Sequence, residues 1–114
     1  MRGVTKALSS DSYTNIESTD STGLTAFGSD GFTVGADTNY SDTTGDGMVA
    51  WNWKANGSGS SNTDGTINTT STSANVSAGF SISTYTGNGV AGATVGHGLS
   101  VAPELVIVKS GMGT

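Results

Sequence analysis

The chain contains no cysteine, one proline (Pro103) and one histidine (His97) in 114 residues. Without cysteine, a disulfide-stapled secreted domain and a cysteine-ligated zinc or iron–sulfur site are excluded. Charged side chains make up 11% of the residues, about half the usual share. A coiled coil or helical bundle would need far more Ala, Glu, Lys, Leu and Arg. Four Lys and Arg stand against nine Asp and Glu, for a net charge of −5. That balance repels phosphate, so nucleic acid is not an expected partner. No apolar run approaches the roughly 20 residues of a membrane span, so no membrane insertion is expected. Met1–Ser10 shows none of the apolar stretch of a signal peptide.

Small polar and turn-forming residues fill the space left by these absences. There are 17 Ser, 18 Thr, 18 Gly and 8 Asn. Two classes share this composition: disordered low-complexity linkers, and all-β proteins of the extracellular or virion type. The apolar residues, 33% of the chain, cluster and alternate, which disorder does not explain. The expectation is an all-β fold.

Residues 1–22 read as an extended lead-in, with Val4, Ala7 and Leu8 near its start and Tyr13 and Ile16 as its only sizeable later apolar groups. Leu24–Phe27 and Phe32–Val34, separated by Gly28-Ser29-Asp30-Gly31, predict a hairpin whose turn exploits glycine's access to positive φ. Residues 35–47 form an acidic loop. Met48–Lys54 predicts a half-buried strand, because alternation places Val49, Trp51 and Trp53 on one face. Residues 56–62, Asn-Gly-Ser-Gly-Ser-Ser-Asn, read as a flexible joint. Beyond it, Thr66–Val76 suits an edge strand. Phe80–Thr86 alternates, with Phe80, Ile82 and Thr84 expected inward, and Ala93–Gly96 reads as a short strand. Leu105–Val108, apolar on both faces, predicts a central buried strand before a glycine-rich end. No window has a convincing helical period. The expected core is Phe32, Val49, Trp51, Trp53, Phe80, Ile82, Val106 and Val108.

Few groups of residues invite a chemical reading. Gly87-Asn88-Gly89-Val90-Ala91-Gly92 spells the dinucleotide fingerprint, but the residues after it do not read as the helix that would hold a pyrophosphate. His97, between two glycines, reads as a loop imidazole bonded to nearby backbone, since one histidine makes no triad without an oriented nucleophile and acid. Asp37, Asn39, Asp42 and Asp46 form an oxygen-rich loop and are the one calcium candidate. An EF-hand does not fit, because its sixth position falls on Asp42 instead of glycine and its twelfth on Met48 instead of glutamate. Trp51 and Trp53 could stack on sugar rings, although burial in the core is the default for such large apolar groups. Paired carboxylates on rigid facing elements are lacking. Neither an enzyme nor a cofactor is expected.

Two stretches carry a resemblance. One joins Thr22–Phe27, Asp30–Gly35 and Met48–Ala55. The other joins Gly79–Gly89 to Val95-Gly96-His97-Gly98-Leu99-Ser100-Val101-Ala102-Pro103-Glu104-Leu105-Val106-Ile107-Val108-Lys109. Together, over about residues 3–109, the chain resembles uncharacterised β-rich repeat modules of bacteriophage tail and fibre virion proteins, especially those of marine phages. The resemblance implies a jelly-roll or β-sandwich-like architecture. Residues 1–55 would be the end of a first β unit, 56–62 the joint, and 63–114 the start of a second, with a single small β domain over 1–114 as the alternative. Such sheets would be incomplete and completed by neighbouring subunits, since open edges recruit strands. The implied role is structural: a virion protein of the tail or fibre that contributes to host-surface attachment. The expected partners are other virion proteins, further copies of the chain (a trimer favoured) and a host-surface glycan. The alternatives are a capsid decoration or cement protein, and a glycan-binding or adhesin module.

Overall fold

A computed structural model describes residues 4–10 and 17–110. Tyr13, Ile16 and the glycine-rich end from Gly111 lie outside the described residues. The chain is all-β, in small antiparallel sheets with one short helix and no closed barrel among the described residues. It divides into two compact units: Trp51–Val106, and the described residues of Arg2–Ala50 with those of Ile107–Thr114.

In the unit built on Arg2–Ala50, β1 (Lys6–Ala7) pairs with β2 (Ser18–Thr19). The Lys6 ammonium donates to Thr19 Oγ1 at 2.8 Å and lies 3.9 Å from the Glu17 carboxylate. The predicted hairpin forms, as β3 (Leu24–Phe27) against β4 (Phe32–Val34), with a register shift between Leu24 and Ala26. Its turn closes with Gly28 N donating to Gly31 O at 2.7 Å. Neither glycine there takes the positive φ that the Asp-Gly pair led us to expect.

Side-chain carboxylates shape the rest of this unit. Asp20 Oδ1 accepts from the backbone N–H groups of Thr22 and Gly23, both at 2.9 Å, and so fixes the turn into β3. Gly23 is buried there, and a Cβ on it would lie 2.6 Å from Tyr40 Cε2. Within the expected acidic loop the chain makes a one-turn helix, α1 (Thr38–Ser41). The period search found no helix because four residues are too short to show a period. A side-chain cap forms it instead: Asp37 sits at the N-cap and its Oδ1 accepts from Asn39 N at 2.9 Å.

In Trp51–Val106, β5 (Ser71–Asn75) pairs in continuous register with β6 (Phe80–Thr84). A strand forms where β6 was expected but ends at Thr84, and Ile82, expected inward, is 46% exposed while the Ser83 hydroxyl meets the buried Thr72. β5 occupies the second half of the predicted Thr-rich strand. β5 is not an edge, however. Ser60 exchanges both backbone hydrogen bonds with Thr72, at 3.1 and 2.7 Å. The residues read as a joint are therefore held along β5, with Asn62 O accepting from Thr69 N at 3.0 Å. Ala93–Gly96 contributes only an isolated parallel bridge, Ile67 with Val95.

Two predicted strands are absent. Met48–Lys54 and Leu105–Val108 lie outside every strand. The expected core is not formed either, since among the described residues no hydrophobic side chain is buried. Phe32, Val49, Trp51, Trp53, Ile82, Val106 and Val108 are all exposed, and Phe80 is half-buried, stacked on Trp53 at 5.6 Å between ring centroids. Alternation states which side chains would share a buried face; it does not guarantee that the chain supplies the other face.

Candidate functional site

The interior of the β5–β6 region is built on hydroxyl groups. Among the described residues, Thr69, Thr72 and Ser73 are the buried polar side chains, with Thr69 only 2% exposed. Antiparallel pairing sets Thr72 directly opposite Ser83, and their hydroxyls meet at 2.9 Å. Thr72 Oγ1 also donates to Thr69 Oγ1 at 2.9 Å, which in turn accepts from Asn62 N at 2.8 Å. Ser83 Oγ reaches Gly96 O at 3.2 Å. On the opposite face of β5, Ser73 Oγ donates to Gly57 O at 2.8 Å and accepts from Asn56 N at 2.9 Å. A buried hydroxyl without a partner would cost a few kcal/mol; in this network each buried hydroxyl has partners.

Beside this network, Asn56–Asn62, Thr72, Ala74 and Gly98 line an open groove of about 560 Å³. Its walls carry hydroxyl, amide and backbone groups, without an aromatic ring or a charged side chain.

The sequence-selected residues distribute as follows. Asp42 and Asp46 come together through Thr44, whose hydroxyl contacts Asp42 Oδ1 at 2.7 Å and Asp46 Oδ2 at 2.9 Å. Asp42 Oδ2 also accepts a short hydrogen bond from Asp46 N. These bonds, that from the Thr44 hydroxyl first, hold the Asp42 carboxyl below its usual range. Asp37 and Asn39 are linked to each other in the α1 cap. Among the described residues no group of three or more His, Asp or Glu side chains is arranged to hold a metal ion. The carboxylates instead organise their own loops, and Asp20 is likewise lowered, chiefly by the Thr22 N–H.

His97 is half-buried and its Nδ1 accepts from Leu99 N at 3.0 Å, the backbone-bonded imidazole that its position implied. The Gly87–Gly92 stretch opens no helix; Asn88 Oδ1 accepts from Val90 N at 3.0 Å, and the segment is a turn.

The surface most in need of a partner is apolar. Leu105, Val106, Ile107 and Val108 are 67–79% exposed, and Val101 is exposed with them. In Met48–Lys54, Trp51 is 76% exposed, and Met48, Val49 and Trp53 are exposed too. A family model described as Domain of unknown function (DUF7483) matches residues 1–114. The chain belongs to the DUF7483 family. No curated protein and no solved structure matches it. This family member presents three features to a partner or ligand: the hydroxyl network, the groove beside it and the exposed apolar segments. Sequence reasoning missed Thr69, Thr72 and Ser83, whose only signal was the density of hydroxyl residues around 69–84.

Proposed function

We propose that this chain is a non-catalytic structural module of a bacteriophage particle, part of the tail or fibre, that acts by strand pairing with neighbouring subunits and contributes to host-surface attachment. One observation carries the reading: two apolar segments, Met48–Lys54 and Leu105–Val108, are exposed and lie outside every strand, while the buried side chains among the described residues are hydroxyls. Large exposed apolar surface marks an interaction site, and Leu105–Val108 is apolar on both faces, as a strand inside a larger sheet would be. The resemblance to tail and fibre modules and the acidic, Ser/Thr-rich composition support the same placement. Quantitative mass spectrometry of purified particles of the source phage tests it. A few to dozens of copies per particle fit a tail or fibre, hundreds would instead support capsid decoration, and absence from particles overturns the reading.

A second reading, a glycan-binding module, is favoured by the exposure of Trp51, because an open indole face can stack on a sugar ring. Host polysaccharide should then quench tryptophan fluorescence, and Trp51→Ala should abolish the response. An unchanged spectrum at saturating polysaccharide rejects this reading.

A further inference from the structure

The β5–β6 hairpin has one closed edge and one open edge. Thr72 exchanges its backbone bonds with Ser60, so its N–H and C=O point away from β6. The facing pair Thr72–Ser83 is then a non-hydrogen-bonded pair, and in an antiparallel ladder the backbone groups of Ser83 point outward from β6. Two residues earlier in the same unbroken register, those of Ser81 do so too. No backbone partner on that outer side is present for either residue among the described residues. Such an edge is a template for one more strand.

The same chain carries a segment suited to that edge. Leu105–Val108 is long enough to pair along four of the five residues of β6. Leu105–Val108 is apolar on both faces, exposed and outside any strand. Ile82, 46% exposed on β6, would gain an apolar neighbour from an added strand.

We infer that the chain self-associates by strand addition: Leu105–Val108 of one copy pairs with the outer edge of β6 in a second copy. The inference rests on the assembly-module reading and names its partner. Because the contact joins the β6 edge of one copy to a different segment of the next, it is head-to-tail. It grows into a closed ring where the rotation closes, and into an open array where it does not.

Light scattering after size exclusion, on the full chain and two variants, provides the test. Ser81→Pro removes the outward N–H from the edge, a position where a strand tolerates proline, and leaves the donor segment intact. Ile107→Lys disables the exposed donor segment and leaves the edge intact. The wild-type chain should show at least twice the 11.3 kDa monomer mass, and each variant alone should be monomeric with the wild-type far-ultraviolet circular dichroism. Mixed one to one, the variants should form a dimer and nothing larger, since only one functional edge and one functional strand remain. A wild-type monomer at tens of micromolar overturns the inference, as does an oligomer that survives either substitution, or a mixture that stays monomeric. A variant that loses its β-signal is replaced by Ser83→Pro or Val106→Lys and read in the same way. A chain that is abundant in particles yet monomeric in solution removes this inference and leaves the virion reading; a chain that associates but is absent from particles does the reverse.

Discussion

The Ser/Thr-rich hairpin Ser71–Thr84 and the apolar run Leu105–Val108 occupy each other's expected places. The hairpin contains the buried Thr72 and Ser73, while all four residues of the apolar run are exposed. In this chain burial follows the ladder. Where strands pair in register and the buried hydroxyls find partners, polar side chains go inside; where a segment joins no strand, apolar ones stay outside. Hydrophobicity then describes what a segment needs, and the missing half of the contact lies on a neighbour.

Gly96→Ala should have the largest effect on the hairpin side of this comparison. An added Cβ would fall onto Asn62 Oδ1 and lie 2.6 Å from its Cγ. Asn62 is not free to swing aside, because its side chain accepts from Asp64 N and donates to Asp64 Oδ2, both at 2.9 Å. Thermal unfolding should show a loss of about 3 kcal/mol, the upper end for overpacking. Thr69→Val comes next. It keeps the shape but deprives Asn62 N and the Thr72 hydroxyl of their acceptor, and should cost about 2 kcal/mol. A fully tolerated Thr69→Val would mean that the hydroxyl network does not hold the hairpin.

Val106→Ser sharpens the other side. In dilute solution it should change stability by no more than about 0.5 kcal/mol, as for an exposed site, although a valine in a buried strand would cost far more. At high concentration the same variant should associate more weakly than wild type. A large loss of monomer stability would place Val106 in a core and undo the comparison.

The smallest effect concerns Asp20 and Asp42. Their carboxyls are lowered by hydrogen bonds in the folded chain. A depressed folded value means that the associated stability is present above the unfolded value of about 3.9 and is lost as pH falls through the lower folded value. Carboxyl nuclear magnetic resonance titration should show both groups titrating below the ordinary aspartate range, with the α1 loop signals shifting in the same step. The hydroxyl network of Thr69, Thr72 and Ser83 should not respond. Ordinary titration at Asp42 would contradict the loop geometry.

Local patterns were legible in the sequence, and the distribution of burial was not. The β3–β4 hairpin could be read because aromatic and β-branched residues flank a four-residue turn. Phe80, Ile82 and Thr84 share a face as alternation requires, yet the side chains buried in the hairpin are hydroxyls of β5, Ser73 on that face opposite Ile82 and Thr72 on the other face opposite Ser83. That choice depends on Ser60, Asn62 and Gly96, which come from distant points in the chain and have no periodic signature. Asp37, one residue of the calcium candidate, caps a helix, a use of the carboxylate that depends on backbone geometry and has no mark in the sequence. Trp51, Trp53 and Val106 were read as core because a large apolar group is most often buried. The rule presumes that its partner is on the same chain.

Amide hydrogen exchange as a function of chain concentration tests the central claim most directly. The account expects Ser81, Ser83 and Leu105–Val108 to exchange freely in dilute solution and to become protected together as concentration rises, with Thr72 protected throughout. Free exchange of both segments at every concentration would contradict it, as would protection already complete in the dilute monomer.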